Sequence, residues 1–357
     1  MRTTTPVHNA AERVEMRVKG DRRARVCQVG LLCVMSILRV GLTEIVPLCG
    51  SAAWWVLAVC LLPAAAFYAL ACYAMRRTGT ETLTEAARAL LGAAGVWALS
   101  LLWGVLLLLD GAASMTALVT SFTEGIGTQG TQVTMAGVTL LALLFCLHRD
   151  GLAWGIYFMR LALLAIAACL AAGLAGLAAP DHLHPLLGQG RASILSALRV
   201  SASVGWPLLL LADTAPPRPR RAGLLLPPVL LAVGGVLLVC LAFPNESLVQ
   251  ESTLAGRLLQ PVFYLPQALR TLAHSLMMLL FFLSIATASQ LAADRFLTPK
   301  GRELPWLAGV VAAIVAGTQL APIRALWRLV TLGLVWLPAL LTVLILLLNV
   351  WRKPCVK

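Results

Sequence analysis

Five of the charged side chains inside the long apolar stretches of this chain are candidates for binding chemistry, because an ionised group is costly there. They are Arg39, Glu44, Asp110, Arg160 and Arg199. A charge at the centre of a membrane helix costs about 2.5–3.5 kcal/mol on insertion scales, so such residues usually face the protein interior and pair there or mark a ligand pathway. These positions are therefore the first candidates for binding chemistry.

Asp110 carries the most specific chemical expectation. A carboxylate isolated in a low-dielectric interior becomes neutral, so Asp110 stays charged only beside a cation. The candidate cations are a ligand ammonium, Arg39 and Arg160. Ser114 and Ser121 follow Asp110 at i+4 and i+11, on one helical stripe. The stripe predicts either a lining of the ligand site or a structural ion pair such as Asp110–Arg160.

Two apolar stretches are interrupted by glycine, proline and small polar residues. The residues that we expect to contact a ligand at these breaks are Gly41, Thr43, Glu44, Ser201, Ser203, Gly205 and Trp206. Unwound backbone presents unpaired N–H and C=O groups, and helix ends add partial charges that suit a zwitterion. The alternative is that glycine and proline only kink these helices. Glu44 has a further alternative at the outer headgroup level, and Arg199 either pairs with a ligand carboxylate or extends toward the headgroups.

The remaining patterns favour packing or turns over catalysis. His274 shares a helical face with Gln267 and Thr271, and it either lines the site or is a packed histidine. Residues 125–130 match G-x-G-x-x-G but lack the strand and helix of a nucleotide-binding unit, so they predict a turn. The nine cysteines are dispersed, without a metal-ligand or disulfide pattern. No nucleophile–base–acid arrangement occurs, so we expect neither an enzyme nor a bound metal or cofactor.

The elements that position these residues are long apolar runs. The chain is 60% hydrophobic and 12% charged, outside the range of soluble domains. About 20 apolar residues cross a bilayer as a helix. The predicted spans lie near residues 26–46, 53–75, 93–122, 131–148, 152–178, 193–213, 223–243, 265–292, 305–320 and 325–350. The expected class is an all-α, multi-pass membrane protein.

Basic residues are concentrated in alternate gaps between the spans, on one side of the predicted membrane. Twenty of the 28 Lys and Arg residues lie in the N-terminal segment or after the even-numbered spans, and residues 123–130 contain none. This bias places both termini in the cytoplasm and argues against nucleic-acid binding, despite a net charge of +13. The expected organisation is a basic tail over 1–25 (with Met16 as an alternative start), a membrane domain over 26–351 and a short basic tail over 352–357.

The ten spans divide into two halves of five, and the two interrupted spans, 1 and 6, are the first of each half. Broken helices at matching places in two halves are typical of inverted-repeat transporters, which bind their ligand near the bilayer midplane. The predicted architecture is therefore a 5+5 transporter-like fold with broken helices 1 and 6 and a pocket between spans 1, 3, 6 and 8. A short amphipathic helix is expected over 82–91, on the cytoplasmic face before span 3.

These features together resemble the B subunit of GerA-type spore germinant receptors, within the amino acid–polyamine–organocation superfamily. The likeness covers 26–351 and is carried by VGLTEIVP at 40–47, the amphipathic stretch 85–91, SVGWP at 203–207 and QPVFY at 260–264. Trp206 stands where the family often has an acidic residue. The resemblance implies a receptor that binds a small germinant such as an amino acid, beside A and C subunits in the spore inner membrane. The rival from another class is an ion-coupled amino acid transporter of the same superfamily.

Overall fold

The structure is a computed structural model, and it describes residues 24–49, 52–126, 159–164, 166–168, 194–214, 226–242, 266–295 and 339–348, with single positions at 137, 157, 171, 336 and 337. The regular elements in these ranges are all helices. Three of them are long and apolar enough to cross a membrane: Ala53–Thr78, Leu83–Leu118 and Ser275–Ala292. The predicted all-helical character is confirmed for this part of the chain. The spans expected at 131–148 and 305–320 lie largely outside it, so the ten-span count stays a prediction.

The first helix, α1, covers residues 24–49 and changes its winding near the middle. Residues 24–40 are α-helical, Gly41–Ile45 form a π-helical turn, and Val46–Cys49 are α-helical again. The backbone N–H of Val46 donates to the carbonyl of Gly41, five residues earlier. A π-turn accommodates an extra residue and is frequent at functional sites. The interruption expected in span 1 is therefore present as a widened turn, without an unwound segment.

Helix α2 (Ala53–Thr78) and helix α3 (Leu83–Ile126) are joined by a four-residue turn. Gly79 closes α2 with a left-handed φ of 68°, which is the usual way for a helix to end at glycine. Gly92, inside α3, has φ 71° and ψ −154°, a combination that only glycine adopts without strain. This kink separates a short helix over 83–91 from the long apolar part of α3. The short helix that the sequence predicted is present, with Leu83, Ala86 and Ala87 buried.

Helix α4 (Ile194–Thr214) corrects one expectation about the fold. The predicted break at 201–207 is absent, because α4 is a single helix that runs through Pro207. Gly205 serves close packing instead: a Cβ atom at this position would lie 2.0 Å from the Cβ of Ala64 on α2. Glycine here lets two helices approach closely, as small residues commonly do in membrane proteins.

The helices pack in two principal pairs. Helix α4 packs along α2, and helix α6 (Gln267–Arg295) packs along α3. Helix α5 (Leu226–Ala242) contacts α2 and also approaches the π-turn, where a Cβ atom on Gly41 would lie 3.0 Å from the Cγ2 atom of Val236. The described side chains of α1 are almost all buried, so α1 lies in the interior of the bundle. Polar side chains on α1, α3 and α6 therefore meet inside the protein.

Candidate functional site

Arg39 and Asp110 form an ion pair in the interior of the helix bundle. Arg39 lies two residues before the π-turn of α1, and Asp110 lies near the middle of α3. Nη2 of Arg39 contacts Oδ1 of Asp110, and Nη1 donates to the backbone carbonyl of Asp110 at 3.3 Å. The Asp110 side chain is 3% exposed and the Arg39 side chain 18%. Of the cations considered for Asp110, the structure places Arg39 on the carboxylate, whereas Arg160 is exposed. The pairing Asp110–Arg160 is therefore wrong.

The second carboxylate oxygen of Asp110 is the most unusual atom of this region. Oδ2 is buried and has no hydrogen-bond partner among the described residues. A buried acceptor without a donor costs about 1–3 kcal/mol, and more when the group is charged. Such atoms are rare in proteins and need a specific explanation, such as a bound water, an ion or a ligand.

Two buried hydroxyl groups meet between α3 and α6, one turn along α3 from Asp110. Ser114, one turn after Asp110, has its Oγ atom 3.3 Å from Oγ of Ser284 on α6, and both side chains are buried. Thr287 follows Ser284 by three residues on α6, and its buried Oγ1 also has no partner in the described part of the chain. Helices α3 and α6 therefore bury one carboxylate and three hydroxyls. Two of these oxygen atoms, Oδ2 of Asp110 and Oγ1 of Thr287, have no hydrogen-bond partner among the described residues.

Two tryptophans lie on the side of α3 toward α4. The ring centroids of Trp103 and Trp206 are 6.5 Å apart, and both side chains are buried. Nε1 of Trp103 has no acceptor within the described ranges. Trp103 precedes Asp110 by seven residues, two helical turns, so the two side chains share one face of α3 about 10 Å apart along the axis. That face presents an unsatisfied donor at one level and an unsatisfied acceptor at the other.

A second polar contact joins α1 to α6. Nε2 of Gln28 donates to Oε1 of Gln290, while the buried Oε1 of Gln28 lacks a donor among the residues that the structure covers. Gln28 and Arg39 are eleven residues apart, three turns of one helical face, or about 16 Å along α1. One face of α1 therefore carries both polar contacts, to α6 and to α3.

The sequence-predicted site residues divide into two groups. The structure places Gly41 at the π-turn, Gly205 and Trp206 on α4, and Asp110 with Ser114 on α3. It brings Asp110 and Ser114 together with α1 and α6, while Trp206 lies nearer Trp103. The side chains that lie outside the described part are those of Thr43, Glu44, Ser121, Arg199, Ser201, Ser203 and His274.

The polar face of α6 differs from the one that the sequence suggested. Gln267 and Thr271 are exposed, and the Thr271 hydroxyl donates to the carbonyl of Gln267 within its own helix. The buried polar residues of α6 lie farther along, at Ser284, Thr287 and Ser289. The i, i+3 spacing of Ser284 and Thr287 in an apolar helix was a detectable signal. Trp103 had no such signal, because an apolar sequence does not reveal an unpaired indole N–H.

Comparison of the chain with models of known protein families gives no match, and no curated protein matches it.

Proposed function

We propose that this chain is the integral membrane subunit of a spore germinant receptor, which binds a small molecule such as an amino acid and triggers germination. The ligand would lie in a midplane pocket between spans 1, 3, 6 and 8, with A and C subunits as partners. The proposal combines the resemblance at 40–47, 85–91, 203–207 and 260–264 with the polar interior around Asp110. A transporter-like fold by itself does not decide between sensing and transport.

The observation that carries the proposal is the buried Oδ2 of Asp110, which has no hydrogen-bond partner in the part of the chain that the structure describes. Arg39 neutralises the carboxylate through Oδ1, and Oδ2 remains as a strong buried acceptor. An ammonium group donates up to three hydrogen bonds and would satisfy both Oδ2 and neighbouring hydroxyls. A zwitterion suits the pair better than a simple cation, because it adds no net charge to a low-dielectric interior that already contains one positive and one negative group.

Thr287 supports the same location. Helices α3 and α6 correspond to the predicted spans 3 and 8, which run in opposite directions across the membrane in the predicted topology. A step from Ser284 to Thr287 along α6 therefore corresponds to a step from Ser114 back toward Asp110 along α3. The unsatisfied Thr287 hydroxyl would then lie at the level of the unsatisfied carboxylate oxygen. A ligand with adjacent donor and acceptor groups, such as an α-amino acid, would satisfy both.

The first test is ligand-dependent stability. The purified chain in nanodiscs is heated with each of the twenty standard amino acids in turn. A ligand that binds only the folded state stabilises it by about 2.7 kcal/mol at one hundred times its dissociation constant, so at least one amino acid should raise the melting temperature. If none of them does, the proposed ligand class is wrong.

A second experiment separates a receptor from the rival transporter. The chain alone is reconstituted into liposomes with an inward proton or sodium gradient, and uptake of the stabilising amino acid is measured. A receptor subunit should bind without gradient-driven accumulation. Accumulation of the amino acid above the level reached without a gradient would identify a working transporter and refute the receptor function.

A further inference from the structure

The short helix over 83–91 is attached to α4 through a buried carboxylate. Asp213, the second-to-last residue of α4, lies 129 positions along the chain from Thr84 and is buried. Its Oδ1 atom accepts hydrogen bonds from the backbone N–H of Thr84 at 2.7 Å and from the Thr84 hydroxyl at 2.5 Å. Both donors belong to the first turn of the short helix, where a negative charge is stabilised by the helix dipole.

The first turn already has a cap of its own, which makes the contribution of Asp213 distinct. Oγ1 of Thr82 accepts from the N–H of Glu85 at 3.2 Å, and Oε2 of Glu85 accepts from the N–H of Glu81 at 2.9 Å. This is a variant of the capping box. It leaves the N–H of Thr84 without a local acceptor, and Asp213 supplies that acceptor from a different helix.

The short helix is also set apart from its neighbours in sequence. Gly79 precedes it with φ 68° and Gly92 follows it with φ 71°. A Cβ atom on either glycine would meet no atom within 4 Å, so backbone conformation alone requires glycine at both places. The segment between these two turns is therefore oriented by its buried residues and by Asp213 rather than by a continuous helix on either side.

We propose that Asp213 is a positioning residue that transmits displacement of α4 to the short helix over 83–91. Helix α4 bears Gly205 against Ala64 of α2 and Trp206 against Trp103 of α3. The N-terminus of the short helix is tied covalently to α2 and by hydrogen bonds to α4. A relative shift of α4 and α2 must therefore change the Thr84–Asp213 contact. Binding of the proposed ligand would be the natural cause of such a shift, and only this cause rests on the proposed function.

The test uses hydrogen exchange of the 83–91 amides in the full chain without a ligand, so its failure leaves the ligand-binding proposal unaffected. Gly205→Ala forces α4 away from Ala64 and serves as the displacement. It is compared in three backgrounds: the unchanged chain, Asp213→Ala, and Thr82→Ala. Thr82→Ala is the matched control, because it removes a cap from the same helix and leaves the hydrogen bonds between Thr84 and Asp213 of α4 in place.

Loss of either cap should by itself speed exchange of the first-turn amides about fivefold. Gly205→Ala should speed exchange further in the unchanged and Thr82→Ala backgrounds, and it should have no added effect in the Asp213→Ala background. Adding Ala64→Gly should cancel the effect of Gly205→Ala. If Gly205→Ala does not accumulate, Ala64→Ser supplies a smaller displacement at the same contact. An equal effect in all three backgrounds, or no effect in any, would overturn the proposal.

Discussion

Loss of Arg39 should lower the stability of the protein more than loss of its partner Asp110. Arg39→Gln leaves a carboxylate that is 3% exposed without a cation. Removing one partner of a buried ion pair costs about 3–5 kcal/mol, and the burial of Asp110 places this variant in that range. Asp110→Asn leaves an arginine that is 18% exposed and that keeps the backbone carbonyl of residue 110 as an acceptor. Its cost should be smaller, about 1–3 kcal/mol.

The double variant Arg39→Gln with Asp110→Asn tests whether the two losses share one cause. Two neutral amides can hydrogen-bond across the same gap, so the double variant should be more stable than Arg39→Gln alone. The coupling free energy should exceed about 2 kcal/mol, within the range seen for residues in direct contact. Arg160→Gln is the control with a matched charge change, and it should be close to neutral because Arg160 is exposed.

The assay is unfolding in bicelles by SDS titration, supported by membrane abundance for variants too unstable to purify. The order of stability should be the unchanged chain, then Asp110→Asn, with Arg39→Gln lowest. Equal costs for the two single variants, or a double variant whose cost is the sum of the two, would refute the buried-pair reasoning. A larger cost for Arg160→Gln than for Arg39→Gln would restore Arg160 as the partner of Asp110.

Three further predictions concern the helix contacts. Gly92→Ala should lower stability by about 1–3 kcal/mol, measured by the same titration, because alanine is strained at this φ and ψ; an unchanged midpoint would contradict the kink. Ser114→Ala should cost about 0.6 kcal/mol, typical of a hydrogen bond in a membrane protein, while sharply weakening amino-acid binding in the thermal-shift assay. Normal binding by Ser114→Ala would place the ligand away from Ser114. Gly205→Ala should reduce membrane abundance and Ala64→Gly should restore it, because the two positions share one contact; failure of this rescue would mean that α2 and α4 do not meet there.

The sequence was most informative at residues whose chemical type is unfavourable in an apolar helix. A charge inside an apolar stretch identified Arg39 and Asp110, and the interrupted segment at 40–47, with Gly41 and Pro47, identified the place where α1 changes its winding. The stretch at 82–91 was recognisable as a short helix from its amphipathic pattern. In each case a local property of the chain determines the outcome: charge, backbone freedom or amphipathic pattern.

Tertiary packing decided the features that the sequence left open or predicted wrongly. Gly205 and Pro207 gave the same pattern as a broken helix, yet the close approach of Ala64 explains the glycine while α4 stays continuous. The choice between Arg39 and Arg160 as partner of Asp110 depends on helix arrangement, which spacing within one helix does not contain. The sequence does not single out Asp213, because its partner, Thr84, lies 129 residues away.

The central claim is that Oδ2 of Asp110 accepts a hydrogen bond from the ammonium group of the ligand. The most direct measurement is calorimetric titration of the chain in nanodiscs with the stabilising amino acid and with its analogue lacking the amino group. The unchanged chain should bind the amino acid at least about tenfold more tightly than the analogue, since a hydrogen bond to a charged group contributes about 1.5–3 kcal/mol. In Asp110→Asn that preference should disappear. An undiminished preference for the amino acid in Asp110→Asn would contradict the claim and leave Asp110 as a structural residue paired with Arg39.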